Sequence, residues 1–227
     1  VCGGVPIIRS LKEGLIANKI QRVYGIFNGT SNYILSSMDN ENKNFKEVLQ
    51  NAQKLGYAES NPSSDLNGDD VASKLKILSS LCFNSFIDHN IHVEGINFID
   101  KVDIDNANKL GYKIKLLGYA ELINNNIFQR VHPTLIKTSS YVAGIDGVLN
   151  AVIIDGSPVG QSIIQGEGAG PTATTSALVS DISSILRGNI KFPFSISNKK
   201  RKKLQFKNIS ERFFSAYLRF EVADKSG

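Results

Sequence analysis

The stretch KIKLLGYAELINNNIFQRVHPTLI, residues 113–136, decides the fold class of this chain. Strand-like apolar segments lie on both sides of the three asparagines 124–126, and this pattern predicts two strands joined by a hairpin. Further strands are predicted at 92–98 (HVEGINF) and 147–154 (GVLNAVII). The second half of the chain is therefore expected to form a sheet.

Helical periodicity dominates the first half. Helices are predicted over 6–20, 31–39 and 44–56, and from Asp69 onwards. A short strand before residue 28 leads into the second helix through a turn, where Gly29 is expected to take a positive φ and Thr30 or Ser31 to cap the helix. Helices followed by strands indicate an α/β protein of the layered α+β kind.

Composition limits the functions that this chain can have. Its 227 residues, 41% of them hydrophobic, suffice for one large domain or two small ones. No apolar run is long enough to span a bilayer. Cys2 and Cys82 have no metal-binding spacing and are expected to be reduced and buried, as in a cytosolic protein.

The net charge of +5 equals the charge of the run KKRKK, residues 199–203. A basic cluster can bind nucleic acid or an acidic membrane. No aromatic residues interleave with this one as a base-stacking platform requires, so a solvated linker is expected. The first residue is not Met, and a strand pattern has just begun at the last residues, so we expect a fragment of a longer protein.

The segment ESNPSSDLNGDDVASK, residues 59–74, concentrates negative charge. It holds Glu59, Asp65, Asp69 and Asp70, followed by Lys74. Like charges repel, so this crowding has a cost unless a ligand, metal or partner offsets it. The Asn-Pro and Asn-Gly pairs predict an irregular loop before the helix that starts near Asp69.

Several interpretations of this segment are open. Asp70 and Lys74 share a helix face and can form a surface ion pair worth a few tenths of a kcal/mol. Alternatively, the carboxylates serve helix capping and turns. In a site closed to water, a lysine beside carboxylates can instead relay a proton, and the carboxylates can hold the ammonium of an amino acid. A divalent cation is another candidate, although the spacing is not that of an EF-hand.

The order of these residues resembles a known family signature. The run Ala52-x-x-x-Gly56-Tyr57-Ala58, followed by Asn61-Pro62-x-x-Asp65-Leu66-x-Gly68-x-Asp70-x-x-x-Lys74, is similar to that of homoserine dehydrogenases. The segments GGVPII, GIFNGTSNYIL, IKLLG and GEGAGPTATTSALVSD agree with the family in the same order. Asn61, where Asp is common in the family, is a departure outside the expected chemistry.

The resemblance implies the NAD- or NADP-dependent interconversion of L-aspartate 4-semialdehyde and L-homoserine, in threonine, methionine and isoleucine biosynthesis. By resemblance, Lys74 is the catalytic proton donor and acceptor. Asp70 orders this lysine and contacts substrate. Glu59 meets the substrate amino group, with support from Asp65.

Other positions take roles from the same resemblance. Lys115 is expected at the substrate carboxylate, with a solvated lysine as the open alternative. Asn28 and Thr30 either line the site or only form the turn. The GEGAG segment is not a dinucleotide-binding fingerprint by its spacing. Cofactor contacts are expected from Gly56, Glu59, Gly166 and Gly168, and backbone-carbonyl ligands to a sodium or potassium ion from Val1, Gly3 and Val5.

The resemblance also implies a domain plan. Residues 1–158 would form a catalytic and dimerisation domain, with a mixed sheet and helices packed on one side. Residues 159–190 would be a Gly-rich loop and a helix returning to an upstream Rossmann-type domain, 191–215 a basic linker, and 216–227 the start of an ACT domain. A cytoplasmic homodimer or larger homo-oligomer is expected, with no nucleic acid or membrane partner. Without the upstream domain, these residues are expected to be inactive.

Two other functions compete with this interpretation. One is a divalent-metal hydrolase that uses Glu59, Asp65, Asp69 and Asp70. The other is a non-enzymatic fragment that senses amino acids through its C-terminal strand.

Overall fold

A mixed sheet of seven strands organises the chain in the computed structural model, which describes residues 1–189 and 192–223. The strands run in the order β3-β5-β4-β1-β6-β7, and β9 also pairs with β5. The strands of this sheet are β1 Lys19–Ile26, β3 His92–Val93, β4 Tyr112–Ile123, β5 Asn126–Lys137, β6 Leu149–Ser157, β7 Gly160–Glu167 and β9 Gln205–Lys207. A small second sheet consists of β2 Ser85–Phe86 and β8 Lys202–Lys203.

The predicted hairpin is confirmed and lies at the centre of this sheet. β4 and β5 pair antiparallel from Tyr112 opposite Lys137 to Ile123 opposite Asn126. Asn124 and Asn125 both have positive φ, 49° and 65°, as a tight two-residue hairpin turn requires. β3 and β9 add to β5 in parallel, which makes the sheet mixed as expected.

The segment after residue 158 differs from the prediction. Residues 160–167, expected as part of a Gly-rich loop, form β7 and pair antiparallel with β6. The strand alternates between half-buried and exposed positions, so its sequence lacks the apolar run that marks a buried strand. The boundary predicted at 158 falls in the turn of the β6–β7 hairpin.

Seven α-helices accompany the strands in the described part of the chain: α1 Ile7–Arg9, α2 Gly29–Asn40, α3 Phe45–Lys54, α4 Ser63–Leu66, α5 Asp69–Cys82, α6 Lys101–Lys109 and α7 Pro171–Leu186. The helix predicted over 6–20 is wrong in its second half. It continues from α1 only as a π-helical turn to Gly14, because β1 begins at Lys19.

The turn before α2 also differs in detail from the prediction. Asn28, rather than Thr30 or Ser31, caps the helix, and its Oδ1 accepts a hydrogen bond from the Ser31 backbone N at 2.8 Å. Gly29 already belongs to the helix and does not take a positive φ. An Asn side chain suits this cap because its short carbonyl reaches an otherwise unpaired N–H of the first turn.

Helices α2, α5 and α6 pack on one face of the sheet and enclose the main hydrophobic core. The opposite face carries a smaller apolar cluster: Ile26, Leu117, Val142, Ile145, Ala151 and Ile153. Phe27, the residue directly after β1, is fully buried, and a Cβ at Gly118 would come within 2.6 Å of its ring. This close packing fixes the backbone of Phe27 next to α5.

The basic run at 199–203 is not a fully solvated linker. Its four lysines are exposed, but the guanidinium of Arg201 lies 3.9 Å from the Phe86 ring centroid and 4.2 Å from that of Phe194. β8, within the same run, pairs in parallel with β2. The expectation is therefore wrong at the centre of the run, where cation–π contacts attach the chain to the end of α5.

The C-terminal tail lies along α6. The Tyr217 hydroxyl donates to Asp103 Oδ1 at 3.1 Å, and Arg219 pairs with Asp100 at 2.5 Å. Residues 216–223 form no strand, while 190–191 and 224–227 lie outside the described residues. The ACT interpretation and the linker boundaries stay predictions.

Two smaller expectations concern the cysteines and membrane spans. Cys2 and Cys82 are both free and buried, as predicted. Among the helices of the described residues, none combines the length and apolar character needed to cross a bilayer.

Candidate active site

Lys74 points into the domain. Its Nζ lies 2.7 Å from Asp70 Oδ2 and donates to the backbone carbonyl of Phe27 at 2.8 Å. The two side chains are only 23% and 29% exposed. The i,i+4 spacing thus gives a pair that is anchored on β1 as well as on its own helix, unlike an ordinary surface ion pair.

A single amide relieves the crowding of the carboxylates. Asn28 Nδ2 donates one hydrogen to Asp65 Oδ1 at 2.7 Å and the other to Asp70 Oδ2 at 2.8 Å. Because the Asn28 Oδ1 is fixed by the α2 cap, the amide is locked in this orientation. The repulsion between the two aspartates is therefore offset by Asn28 and by the ammonium of Lys74.

The remaining residues of the acidic segment lie outside this cluster. Glu59 and Asp69 are exposed, and no hydrogen bond among the described residues joins the Glu59 side chain to Lys74. The Thr30 hydroxyl donates to the Tyr57 carbonyl at 2.7 Å and so ties the loop after α3 to α2. Gly56, two residues after the end of α3, has φ +75° and open space where a side chain would project.

Lys115 is buried, so the alternative prediction of a solvated lysine is wrong. Its Nζ donates to Asn32 Oδ1 at 3.2 Å, the Ile145 carbonyl at 2.7 Å and Asp146 Oδ1 at 2.8 Å. Burial lowers the pKa of Lys115, and the hydrogen bond to Asp146 opposes that shift. An ammonium has three hydrogens, and each has an acceptor here.

Asn150 belongs to the site, although no motif in the sequence marks it. It is 1% exposed in β6, and its Nδ2 donates to the Phe27 carbonyl at 3.0 Å, the same oxygen that Lys74 contacts. A polar residue inside the apolar strand GVLNAVII was the available signal. The sequence could not reveal its partner, a backbone carbonyl 123 residues away.

The glycines predicted at the cofactor lie next to Asn150. Gly166 is opposite Asn150 in the β6–β7 ladder, and a Cβ on Gly168 would come within 2.2 Å of Asn150 Nδ2. The structure therefore brings the Gly166–Gly168 segment to within one side chain of the carbonyl that holds Lys74.

The N-terminal segment packs on the same loop. Gly4 N donates to the Glu167 carbonyl at 2.9 Å, and a Cβ on Gly3 would meet the Gly168 carbonyl at 3.0 Å. The Val5 carbonyl accepts from Ile7 N at 2.7 Å, which leaves one lone pair for a cation. The cation ligands Val1, Gly3 and Val5 stay predictions.

The arrangement suits proton transfer better than divalent-metal chemistry. Within residues 1–189 and 192–223, no three His, Cys, Asp or Glu side chains converge as metal ligands would. A partly buried ammonium beside a carboxylate can instead give or take a proton at an oxygen of a small polar ligand. The structure thus combines an α/β fold with a partly buried lysine–carboxylate pair, the kind of pair that acid–base enzymes use.

Comparison with known proteins identifies the family. The family model described as homoserine dehydrogenase matches residues 6–183. A homoserine dehydrogenase from Neisseria gonorrhoeae is 47% identical over 82% of this chain and 43% of its own length. One from Helicobacter pylori is 44% identical over the whole of this chain and 54% of its own length. The chain belongs to the homoserine dehydrogenase family.

Solved structures agree with this assignment. A homoserine dehydrogenase from Thiobacillus denitrificans superposes with a TM-score of 0.82 at 41% identity, covering 90% of this chain and 50% of that one. A hyperthermophilic archaeal homoserine dehydrogenase mutant in complex with NADPH gives a TM-score of 0.69 at 27% identity, over 83% of this chain and 54% of its own. The chain spans about half the length of the relatives it matches.

Proposed function

We propose that this chain is the substrate-binding and catalytic part of a homoserine dehydrogenase, which interconverts L-homoserine and L-aspartate 4-semialdehyde with NAD or NADP. The observation that carries the proposal is the Lys74 ammonium, fixed by Asp70 and the Phe27 carbonyl. These two contacts leave one hydrogen with no acceptor among the residues that the structure describes. That hydrogen is available to a substrate oxygen.

Lys74 moves the proton in this proposal. During reduction of the aldehyde, the ammonium donates a proton to the carbonyl oxygen as negative charge develops there. In the reverse direction, the neutral amine accepts the proton of the homoserine hydroxyl. Asp70 keeps the amine in place through both directions, because it is itself fixed by Asn28.

The substrate amino group is assigned to the acidic segment. Asp65 lies beside Asp70 and is half-buried, whereas Glu59 is exposed at the loop that Thr30 holds. A carboxylate–ammonium contact is among the stronger hydrogen bonds, so either residue can orient the zwitterion. Lys115 can take the substrate carboxylate only by exchanging one of its three present acceptors.

Bound NAD(P) supplies hydride exchange at the substrate carbon. The NADPH bound to the archaeal relative supports this cofactor class. Gly56, Gly166 and Gly168, with Glu59, are proposed to contact it; Gly166 and Gly168 lie beside Asn150, which shares the Phe27 carbonyl with Lys74. The exposed apolar side chains of α7 support packing against a separate dinucleotide-binding domain: Leu178, Val179, Ile182, Ile185 and Leu186.

Three further parts of the proposal rest on the family resemblance. A sodium or potassium ion is assigned to the carbonyls of Val1, Gly3 and Val5, and the free lone pair on the Val5 carbonyl supports it. The protein is proposed to act in the cytoplasm as a homodimer or larger homo-oligomer.

The test is an assay of the full-length protein with homoserine and NAD(P)+. Turnover is expected, and it should survive chelation of divalent ions, unlike that of a metal hydrolase. Lys74→Ala should lose roughly two to four orders of magnitude in kcat, the usual scale of positioned acid–base catalysis. Full activity in Lys74→Ala, with the protein folded, would refute the assignment.

A further inference from the structure

Asn150 is a buried polar residue in a strand of apolar ones. It is 1% exposed, and the four residues that follow it in β6 are fully buried and apolar. An amide placed in such surroundings is costly unless its polar atoms are hydrogen-bonded. Its contacts therefore indicate why an amide stands at this position.

The first contact reaches the catalytic lysine through one shared oxygen. Asn150 Nδ2 and Lys74 Nζ donate to the Phe27 carbonyl at 3.0 and 2.8 Å. A carbonyl oxygen has two lone pairs, so these two donors fill it. Removing the amide would leave Lys74 as the remaining donor to the Phe27 carbonyl among the described residues, and the oxygen would be held from one side instead of two.

The second contact reaches the loop between β7 and α7. The Asn150 amide lies against Gly168, where a Cβ would come within 2.5 Å of both Nδ2 and Oδ1. Asn150 Oδ1 is buried and accepts no full hydrogen bond from any residue in the described ranges. The Cys2 thiol also lies near this side chain.

We propose that Asn150 is a positioning residue, which holds the Phe27 carbonyl toward Lys74 and thereby fixes the lysine relative to the Gly168 backbone. The inference rests on the proposed function, since it assigns Asn150 a role in the same reaction. It adds a residue that touches neither substrate nor cofactor and acts only through a backbone oxygen.

Asn150→Asp in the full-length protein is the sharpest test. The variant keeps the shape of the side chain but replaces the donor with an anionic acceptor facing the Phe27 carbonyl. We expect kcat with homoserine to fall by about 10- to 100-fold, because a small misplacement of a catalytic group is that costly. The KM for homoserine should change by less than about threefold.

The pH dependence separates positioning from simple packing. A carboxylate near the Lys74 ammonium favours its charged form, so the acid limb of the kcat profile for homoserine oxidation should move to higher pH. Asn150→Ala, which adds no charge, should lower kcat without moving that limb. It also serves as the second variant if Asn150→Asp fails to fold.

Gln129 provides a matched control. It is also 1% exposed, and its Nε2 donates to Ser79 Oγ of α5 at 2.8 Å without touching the Phe27 carbonyl. Gln129→Glu should lower the melting temperature but leave the acid limb in place. An Asn150→Asp protein that behaves like Gln129→Glu would overturn the inference.

A readout without turnover distinguishes this inference from the proposed function. Acetic anhydride labels neutral amines, and mass spectrometry can follow its reaction with Lys74 across about pH 7 to 11. The midpoint for Lys74 should move to higher pH in Asn150→Asp and stay in place in Gln129→Glu. An unmoved midpoint in Asn150→Asp overturns the positioning role, whereas an unmutated protein inactive with homoserine overturns the proposed function alone.

Discussion

Two lysines of this domain have opposite surroundings. Lys74 is 23% exposed and contacts a carboxylate and one backbone carbonyl. Lys115 is 1% exposed and contacts a carboxylate, an amide oxygen and a carbonyl. Both carry an acidic partner at short range, so charge pairing by itself does not separate them.

The difference lies in the number of unused donors and in access to solvent. Every N–H of the Lys115 ammonium has an acceptor, and the side chain links β4 to the segment at Ile145 and Asp146 by hydrogen bonds. Among the residues that the structure describes, one N–H of Lys74 has no acceptor, and the side chain is partly exposed. Saturated hydrogen bonding makes a lysine structural, whereas incomplete bonding at a partly open position leaves it available for chemistry.

Replacing each lysine by methionine should sharpen this contrast most. Lys115→Met leaves Asp146 without its buried counter-ion and should lower the free energy of unfolding by up to about 3 kcal/mol, the lower end for broken buried pairs because Asp146 is partly exposed. Lys74→Met should change stability by less than about 1 kcal/mol. Urea unfolding followed by circular dichroism measures both.

The reverse pattern would break the comparison. This would be the case if Lys115→Met kept its stability and instead raised the KM for homoserine. Lys115 would then bind the substrate carboxylate, which would replace one of its present acceptors. Asp146→Asn is a suitable companion variant, because it leaves the lysine in place and removes only the charge of its partner.

Glu59→Gln tests the partly exposed site around Lys74, as opposed to the closed surroundings of Lys115. The exposed Glu59 side chain is free to meet a ligand, and loss of its charge should raise the KM for homoserine by about tenfold, with kcat less affected. Steady-state kinetics on the full-length protein measures both constants. The same change at the exposed Asp69, Asp69→Asn, should leave the KM unchanged, and equal effects would remove Glu59 from its assigned role.

The smallest expected effect concerns His132, a half-buried histidine. Burial lowers the pKa of His132, and the nearby Arg130 adds to this shift. In the unfolded chain this histidine has a pKa of about 6.5, so below that pH the unfolded chain binds more protons than the folded one. The contribution of His132 to the free energy of unfolding should therefore be complete above that pH and be lost as the pH falls through the lower pKa of the folded state. His132→Gln should flatten the acid side of the stability curve between about pH 7 and 5. An unchanged slope would contradict the assignment.

Local patterns made much of the fold predictable. The asparagine turn at 124–125 follows from turn preferences, and the start of a helix at Asp69 follows from the two aspartates in its first turn; neither needs tertiary information. The pairing of Asp70 with Lys74 was also visible, because the spacing of a helix brings the two together. The strand over 160–167 was missed because only one side of it is half-buried, which gives a weak apolar pattern.

The rest of the site depends on contacts that leave no local trace. Phe27 contributes a backbone oxygen, which any residue could supply. Asn150 donates to it from β6, which is a neighbour in the sheet but lies 123 residues away in the sequence. Asp146 is identified as the partner of Lys115 only once β4 and the turn before β6 are brought together. Such contacts arise from topology, which periodicity does not specify.

Residues 199–203 offer trypsin five consecutive cleavage points, yet Arg201 lies between two aromatic rings and Lys202–Lys203 are paired with β2. A protease binds its substrate as an extended segment in the active-site cleft, so cleavage here requires local unfolding that separates this segment from residues 85–86. The rate of nicking therefore reports how firmly the C-terminal chain is fastened to the far end of α5. The near end of that helix carries Asp70 and Lys74, so a ligand bound there that strengthens or weakens this attachment should change the rate of digestion.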